Sequence, residues 1–218
     1  GKIWENRPEL PANPTYFLEE KTTGKSRLEK LSDVRKIMEN EGVDFHIISN
    51  LADIGWLLNI RGNDVEFNPV VLSFLILTKT GATLYIQQNV INQSMECILK
   101  NENIKIANYK DFYEEVIALN GPAKVLLQSN DISYSVLNNL NKNIKIIDKN
   151  NPTSYMKAIK NEVEIENIKH AHIKDGIAVT KFIYWLKHNI GKTKITEISG
   201  ANYLEDKRKE QKGFIENS

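Results

Sequence analysis

The chain has 218 residues, 41% hydrophobic and 26% charged, enough for one large domain or for one domain and part of another. Its 29 basic and 28 acidic side chains leave a net charge of +1, without the concentrated basic field that nucleic acid or an anionic membrane requires of a partner. No apolar run approaches the ~18 residues of a membrane span, and the start GKIWENRPELP lacks the apolar core of a signal peptide.

Residues 1–25 are rich in proline and charge and read as a leading or linker segment, with Trp4, Tyr16 and Phe17 as anchors for an extended stretch. Ser26 followed three residues on by Glu29 is a capping box, and Leu28, Leu31, Val34, Ile37 and Met38 continue it as one helical stripe that Gly42 ends. VDFHIIS predicts a short strand, and LADIGWLLN a short helix or helical turn carrying Trp56. The polar stretch LNIRGNDVEFNP follows, and then VVLSFLILT, nine residues without a charge, predicts a central strand. Gly81 turns it into ATLYIQ as a hairpin. Beyond it the pattern predicts a helix from Val90 to Lys100, a strand at IKIAN, a helix through KDFYEEVIALN, a strand AKVLLQ, a helix from Ser133 to Leu140 and a strand IKIID. Strands separated by helices of about ten residues argue for an α/β layer over a mixed sheet, spanning 26–150.

Asn150, Asn151 and Pro152 break that pattern. From Asn161 a long helix follows, with Val163, Ile165, Ile168, Ile173, Ile177, Val179, Phe182, Ile183 and Leu186 at helical spacing, until Gly191. A second helix starts near Thr196 or Ser199. These helices have no sheet to cover, so 151–218 reads as the opening of a second domain, with Phe182, Trp185 and Leu186 left bare. The chain stops after EDKRKEQKGFIENS, and Gly1 suits a cloning scar. Both suggest an excised piece of a longer protein.

Chemistry-bearing motifs are sparse. The chain has no glycine-rich phosphate loop, no His-Glu-x-x-His zinc helix and no nucleophile elbow. Cys97, the single cysteine, cannot form an internal disulfide and favours a reducing compartment; in the helical NQSMECILK it reads as structural rather than nucleophilic. His46 lies within a strand and reads as a hydrogen-bonded structural residue. In KHAHIKDG, His170 and His172 point apart on a helix, whereas His172 and Asp175 share a face; no third or fourth ligand joins them.

The stretch from Leu58 to Pro69 has better credentials. Gly62 permits close backbone approach, and Pro69 holds Asn68 extended. Arg61 can make a two-pronged contact with a carboxylate, internally with Asp64 or Glu66, or externally with a ligand. In one reading Arg61 and Asp64 pin the loop to its own domain; in the other Arg61, Asp64 and Asn68 form the rim of a cleft supplied by another domain.

Taken together, IWENRPELP, DIGWLLNIRGNDVEFNP, YMKAIKNEVEIENIKHAHIKDG and TEISGANYLEDKRKEQ resemble the cytosolic three-domain Xaa-Pro aminopeptidases (aminopeptidase P), of the creatinase and methionine-aminopeptidase pita-bread clan. The resemblance implies an α/β fold with a creatinase N-terminal-like (ribonuclease H-like) mixed sheet and flanking helices, followed by helices that begin a truncated pita-bread domain. It implies a parent that releases the N-terminal residue of Xaa-Pro peptides with two divalent metal ions, typically manganese. The family's two aspartates, one histidine and two glutamates would lie beyond Ser218, so the resemblance assigns no metal ligand or catalytic residue to this chain. The expected partners are the missing catalytic domain in cis, proline-containing peptides for the parent, and a second copy in a homodimer. A prolidase or other pita-bread hydrolase, or a stand-alone binding or assembly module, are the alternative readings.

Overall fold

The structure is a computed structural model describing residues 4–215. It divides into two compact units between Lys160 and Asn161. In the first unit a six-stranded mixed sheet is built from β2 (Phe45–Ile48), β4 (Ser73–Thr78), β5 (Ala82–Ile86), β6 (Ile104–Asn108), β7 (Ala123–Leu127) and β8 (Ile144–Asp148). The spatial order is β6-β5-β4-β2-β7-β8. Only β4 runs against its neighbours; β5 with β6, β2 with β7 and β7 with β8 are parallel pairs.

The alternation of side chains along each strand gives the sheet two buried faces. Leu75 and Leu77 of β4 point to one face and Ile76 to the other, which a nine-residue uncharged run requires of a strand covered on both sides. The first face is covered by α2 (Arg27–Asn40) through Leu31, Val34 and Met38, α3 (Leu51–Leu57) through Ile54 and Leu57, and α4 (Gln93–Asn101) through Met95 and Leu99. The second is covered by α5 (Phe112–Ala118) and α6 (Tyr134–Asn139), with Phe112, Val116 and Val136 fully buried. Phe112 stacks on Phe74 at a centroid distance of 3.9 Å and meets Tyr85 edge-on at 5.4 Å. Each such fully buried side chain contributes roughly 1.5–3 kcal/mol by leaving water.

Local signals hold where they are self-contained. The Ser26–Glu29 capping box forms with both reciprocal bonds, and Gly42 takes the left-handed φ of 61° just past α2. The β4–β5 hairpin turns through Gly81. Several boundaries differ from the periodicity, two of them for a visible reason. The strand expected from Val70 begins only at Ser73, because the Leu72 amide donates to the Asp64 carboxylate at 2.9 Å rather than to a neighbouring strand. The helix expected from Val90 begins at Gln93, capped by Asn92, because the Val90 carbonyl accepts from the Thr15 amide at 2.8 Å.

The residues before α2 are stitched into the first unit. The two-residue strand β1 (Tyr16–Phe17) pairs antiparallel with β3 (Ile60–Arg61), and a single helical turn, α1 (Glu20–Thr23), follows β1. Phe17 packs against the core and beneath the Arg27 guanidinium at 4.0 Å, whereas Trp4 and Tyr16 are exposed. The unit closes with α7 (Pro152–Ala158), whose Thr153 is fully buried.

The second unit is a helix pair, α8 (Glu162–Asn189) and α9 (Glu197–Lys209). Asn161 with Glu164 and Thr196 with Ser199 form their capping boxes, so Thr196 is the cap and Ser199 its reciprocal partner. Trp185 stacks on Tyr203 at 4.1 Å, and Arg208 donates to Asp175 at 2.7 Å. Phe182, Trp185 and Leu186 are therefore half-buried rather than bare, because α9 packs on that side of α8. Val163, Ile165, Ile168, Ile173, Ile177, Ile183 and Tyr184 are the large apolar side chains of α8 left to solvent.

Candidate functional site

The stretch from Leu58 to Pro69 is an ordered loop whose hydrogen bonds come from distant parts of the first unit. It enters through Asn59, which is buried at φ 53°, with its side-chain oxygen 2.7 Å from the Lys30 ammonium. Lys30 is itself buried, donating to the Trp56 carbonyl at 2.9 Å and lying 4.2 Å above the Trp56 ring. A buried ammonium needs this saturation, since an uncompensated one would cost several kcal/mol.

Arg61 directs its guanidinium inward. Its Nη1 donates to the Gly55 carbonyl at 2.7 Å and to the Ile60 carbonyl at 2.9 Å, tying the loop to the end of α3. Asp64 is the organiser of the loop: one carboxylate oxygen accepts from the Asn13 amide at 3.1 Å and the other from the Leu72 amide at 2.9 Å. The Asn13 side chain adds a bond to the Asn63 carbonyl at 2.7 Å. Gly62 is needed for close approach, since a Cβ there would lie 2.5 Å from Val71 Cγ2. Asn68 closes the tip, its amide donating to the Val65 carbonyl at 3.1 Å and its carbonyl accepting from Val70 at 2.7 Å. Phe67 sits in the left-handed region at φ 61° and is 54% exposed. A bulky residue holds that conformation only where its surroundings dictate it. The loop thus presents a polar surface with one aromatic at its tip; Asn63, Glu66, Phe67, Asn68 and Pro69 face solvent.

Of the three rim candidates, Arg61 and Asp64 are fixed by main-chain partners, and Asn68 is exposed. Sequence reading missed Asn13, because its contacts span fifty residues and no local pattern marks them. It also missed Lys30, whose place in a mostly polar helix gives no sign of burial.

A second polar cluster lies where β2 and α3 meet α7. His46 is fully buried, with Nδ1 3.0 Å from the Leu126 carbonyl and Nε2 3.2 Å from Asn151 Oδ1, a structural role. Burial pushes its pKa below the ordinary histidine value, against the opposing pull of the two hydrogen bonds and the Asp53 charge. Asp53 is also fully buried. It accepts from Asn151 Nδ2 at 2.8 Å and from the Ser154 hydroxyl, and pairs with the Lys157 ammonium at 2.6 Å.

Among the described residues no three His, Cys, Asp or Glu side chains converge on a point that could hold a metal ion. His170 and His172 are exposed on α8, and Asp175 is taken by Arg208. The donor set here does not fit a pair of divalent metals. Cys97 is exposed on α4, within 3.8 Å of the Asn101 side-chain nitrogen. No described helix is long and apolar enough to cross a membrane.

Comparison with known proteins places this architecture. The family model of the creatinase/prolidase N-terminal domain matches residues 6–164. A probable Xaa-Pro aminopeptidase P of Sordaria macrospora is 34% identical over 98% of this chain and 37% of its own length. Xaa-Pro aminopeptidase 1 of Dictyostelium discoideum is also 34% identical, over 97% of this chain and 34% of its own length. The chain therefore spans about a third of the length of these curated relatives. Among solved structures, the X-prolyl aminopeptidase of Caenorhabditis elegans, described as a cytosolic enzyme with a di-nuclear active site, superposes with a TM-score of 0.89 at 24% identity, over 98% of this chain and 36% of that one. The prolidase of Pyrococcus horikoshii gives a TM-score of 0.52 at 21% identity, over 84% of this chain and 48% of that one. With its mixed sheet, its flanking helices and a family match over most of its length, the chain belongs to the creatinase/prolidase N-terminal domain family.

Proposed function

We propose that this chain is the non-catalytic α/β portion, with the first helices of the catalytic domain, of a proline-specific metallo-aminopeptidase. The observation that carries this reading is the match to Xaa-Pro aminopeptidases over nearly the whole chain but only about a third of theirs. The two divalent metals, manganese in this reading, belong to the remainder of the protein, because the residues present do not fit them. The whole enzyme would release the N-terminal residue of Xaa-Pro peptides in the cytoplasm, as a homodimer.

In this reading Arg61, Asp64 and Asn68 shape the rim that limits access to the catalytic cleft. The support is physical: a loop fixed at both ends by buried partners keeps its exposed tip at a set position, as a rim that selects short peptides requires. Purified by itself, the 218-residue chain is expected not to release an N-terminal residue from an Xaa-Pro peptide with Mn²⁺ present. Turnover that stays with the chain through purification would overturn this. In the full-length protein, Arg61→Ala is expected to raise KM or lower kcat; lost folding with normal kinetics in the survivors would return the loop to a structural role. Dipeptides cleaved in preference to longer Xaa-Pro-Xaa peptides would identify a prolidase instead.

A further inference from the structure

Among the described residues, Asp53 collects its side-chain hydrogen bonds and its ion pair from one segment. Asn151, Ser154 and Lys157 lie three residues apart along α7 and its N-cap, so they line successive turns of one face. Two hydrogen-bond donors and one ion pair on one buried carboxylate fix the rotation of α7 as well as its distance from α3. Asn151 serves twice: its oxygen caps α7 by accepting from the Thr153 amide at 3.1 Å, while its nitrogen donates to Asp53.

Further along α3, the loop holds that helix as well. Arg61 grips the Gly55 carbonyl, two residues after Asp53, and a Cβ on Gly55 would come 3.1 Å from the Ile60 carbonyl oxygen. The seven-residue α3 is thus clamped between α7, the last element of the first unit, and the ordered loop.

We propose that Asp53 is a positioning residue: through α3 it holds the Leu58–Pro69 loop and the exit of the first unit in one frame, so that the loop keeps its orientation only while α7 is anchored. Its catalytic consequence rests on the aminopeptidase reading; its mechanical part does not.

The mechanical part is tested in the 218-residue chain by amide hydrogen exchange on the double variant Ser154→Ala/Lys157→Met, which keeps the carboxylate and removes one hydrogen-bond donor and the ion-pair partner. Exchange is expected to speed up in α7 and also at the Asp64, Val70 and Leu72 amides, whose bonds define the loop. Faster exchange confined to α7 would overturn the coupling, and so would unchanged exchange throughout.

The catalytic part is tested in the full-length protein with an Xaa-Pro-Xaa peptide. The double variant is expected to lose about tenfold to a hundredfold in kcat/KM, the scale of a displaced positioning element. Val136→Ala, a core truncation on the opposite face of the sheet, serves as the control for lost stability. An equal loss in Val136→Ala, or none in the double variant, would overturn the positioning role. An inactive wild-type enzyme would overturn the aminopeptidase reading alone and leave the exchange result to decide the anchor.

Discussion

The sheet of the first unit and the α8–α9 pair of the second are both rich in large aliphatic residues, yet they treat them oppositely. In the first, the leucines and isoleucines of β4 and β5 are buried on both faces by five helices. In the second, only Ala178 and Gly200 are buried among the helical residues, and Ile165, Ile168, Ile173 and Ile177 stand in solvent. Apolar periodicity tells a chain to form a helix, but only a facing element converts that stripe into stability. The two-sided sheet supplies such a face in six strands, whereas α9 covers one side of α8.

The sharpest way to break this contrast is to truncate one aromatic or aliphatic side chain in each region. Phe112→Ala, fully buried between Phe74 and Tyr85, is expected to cost about 3–5 kcal/mol in chemical unfolding, and Ile173→Ala, exposed on α8, about 0.5 kcal/mol or less. Comparable losses would mean that α8 is covered in solution. A smaller effect separates the loop from the sheet. Gly62→Ala drives a methyl against Val71 and is expected to cost about 1–3 kcal/mol, read as a lower denaturation midpoint at unchanged slope.

His46 sharpens the comparison through pH. Burial holds its folded pKa below that of the unfolded chain, so the unfolded chain takes up a proton first as the pH falls. The stability it contributes is complete above the ordinary value of 6.5 and declines as the pH drops from there towards the folded pKa. Melting of the chain between pH 7 and 5 is expected to show this decline, and His46→Gln to lack it. A parallel decline in the variant would assign the effect to other groups. The smallest effect concerns the loop tip: Phe67→Gly relieves a left-handed φ of 61° and is expected to raise stability by up to about 1 kcal/mol. Lower stability would show that the ring packs against something.

The shape of the loop is legible in the sequence. Gly62 and Pro69 mark it, and Arg61 and Asp64 read either as the charges that pin it or, with Asn68, as the rim of a cleft. Their partners were not legible. Arg61 turns to two main-chain carbonyls rather than to Asp64 or Glu66, and Asp64 bridges Asn13 and Leu72. The amide-to-carboxylate bond that links Asn13 to Asp64 spans residues with no shared local pattern, so no window of sequence contains both. The same holds for Asp53 and Asn151, 98 residues apart.

By itself the sequence determined what short-range physics controls: the capping box at Ser26, the start of the long helix near Asn161, the β4–β5 hairpin at Gly81, and the helix and strand periods that make the chain α/β. Only the tertiary structure decided which strands adjoin, since β2 pairs with β4 and β7 rather than with its sequence neighbour β3. It also decided which polar side chains are buried. Lys30 and Asp53 carry no local sign of burial, and the strand around His46 marks it as structural without naming its partners, yet all three are inside the first unit. A buried charge or imidazole survives only where partners from elsewhere in the chain meet it, and that meeting is a property of the fold.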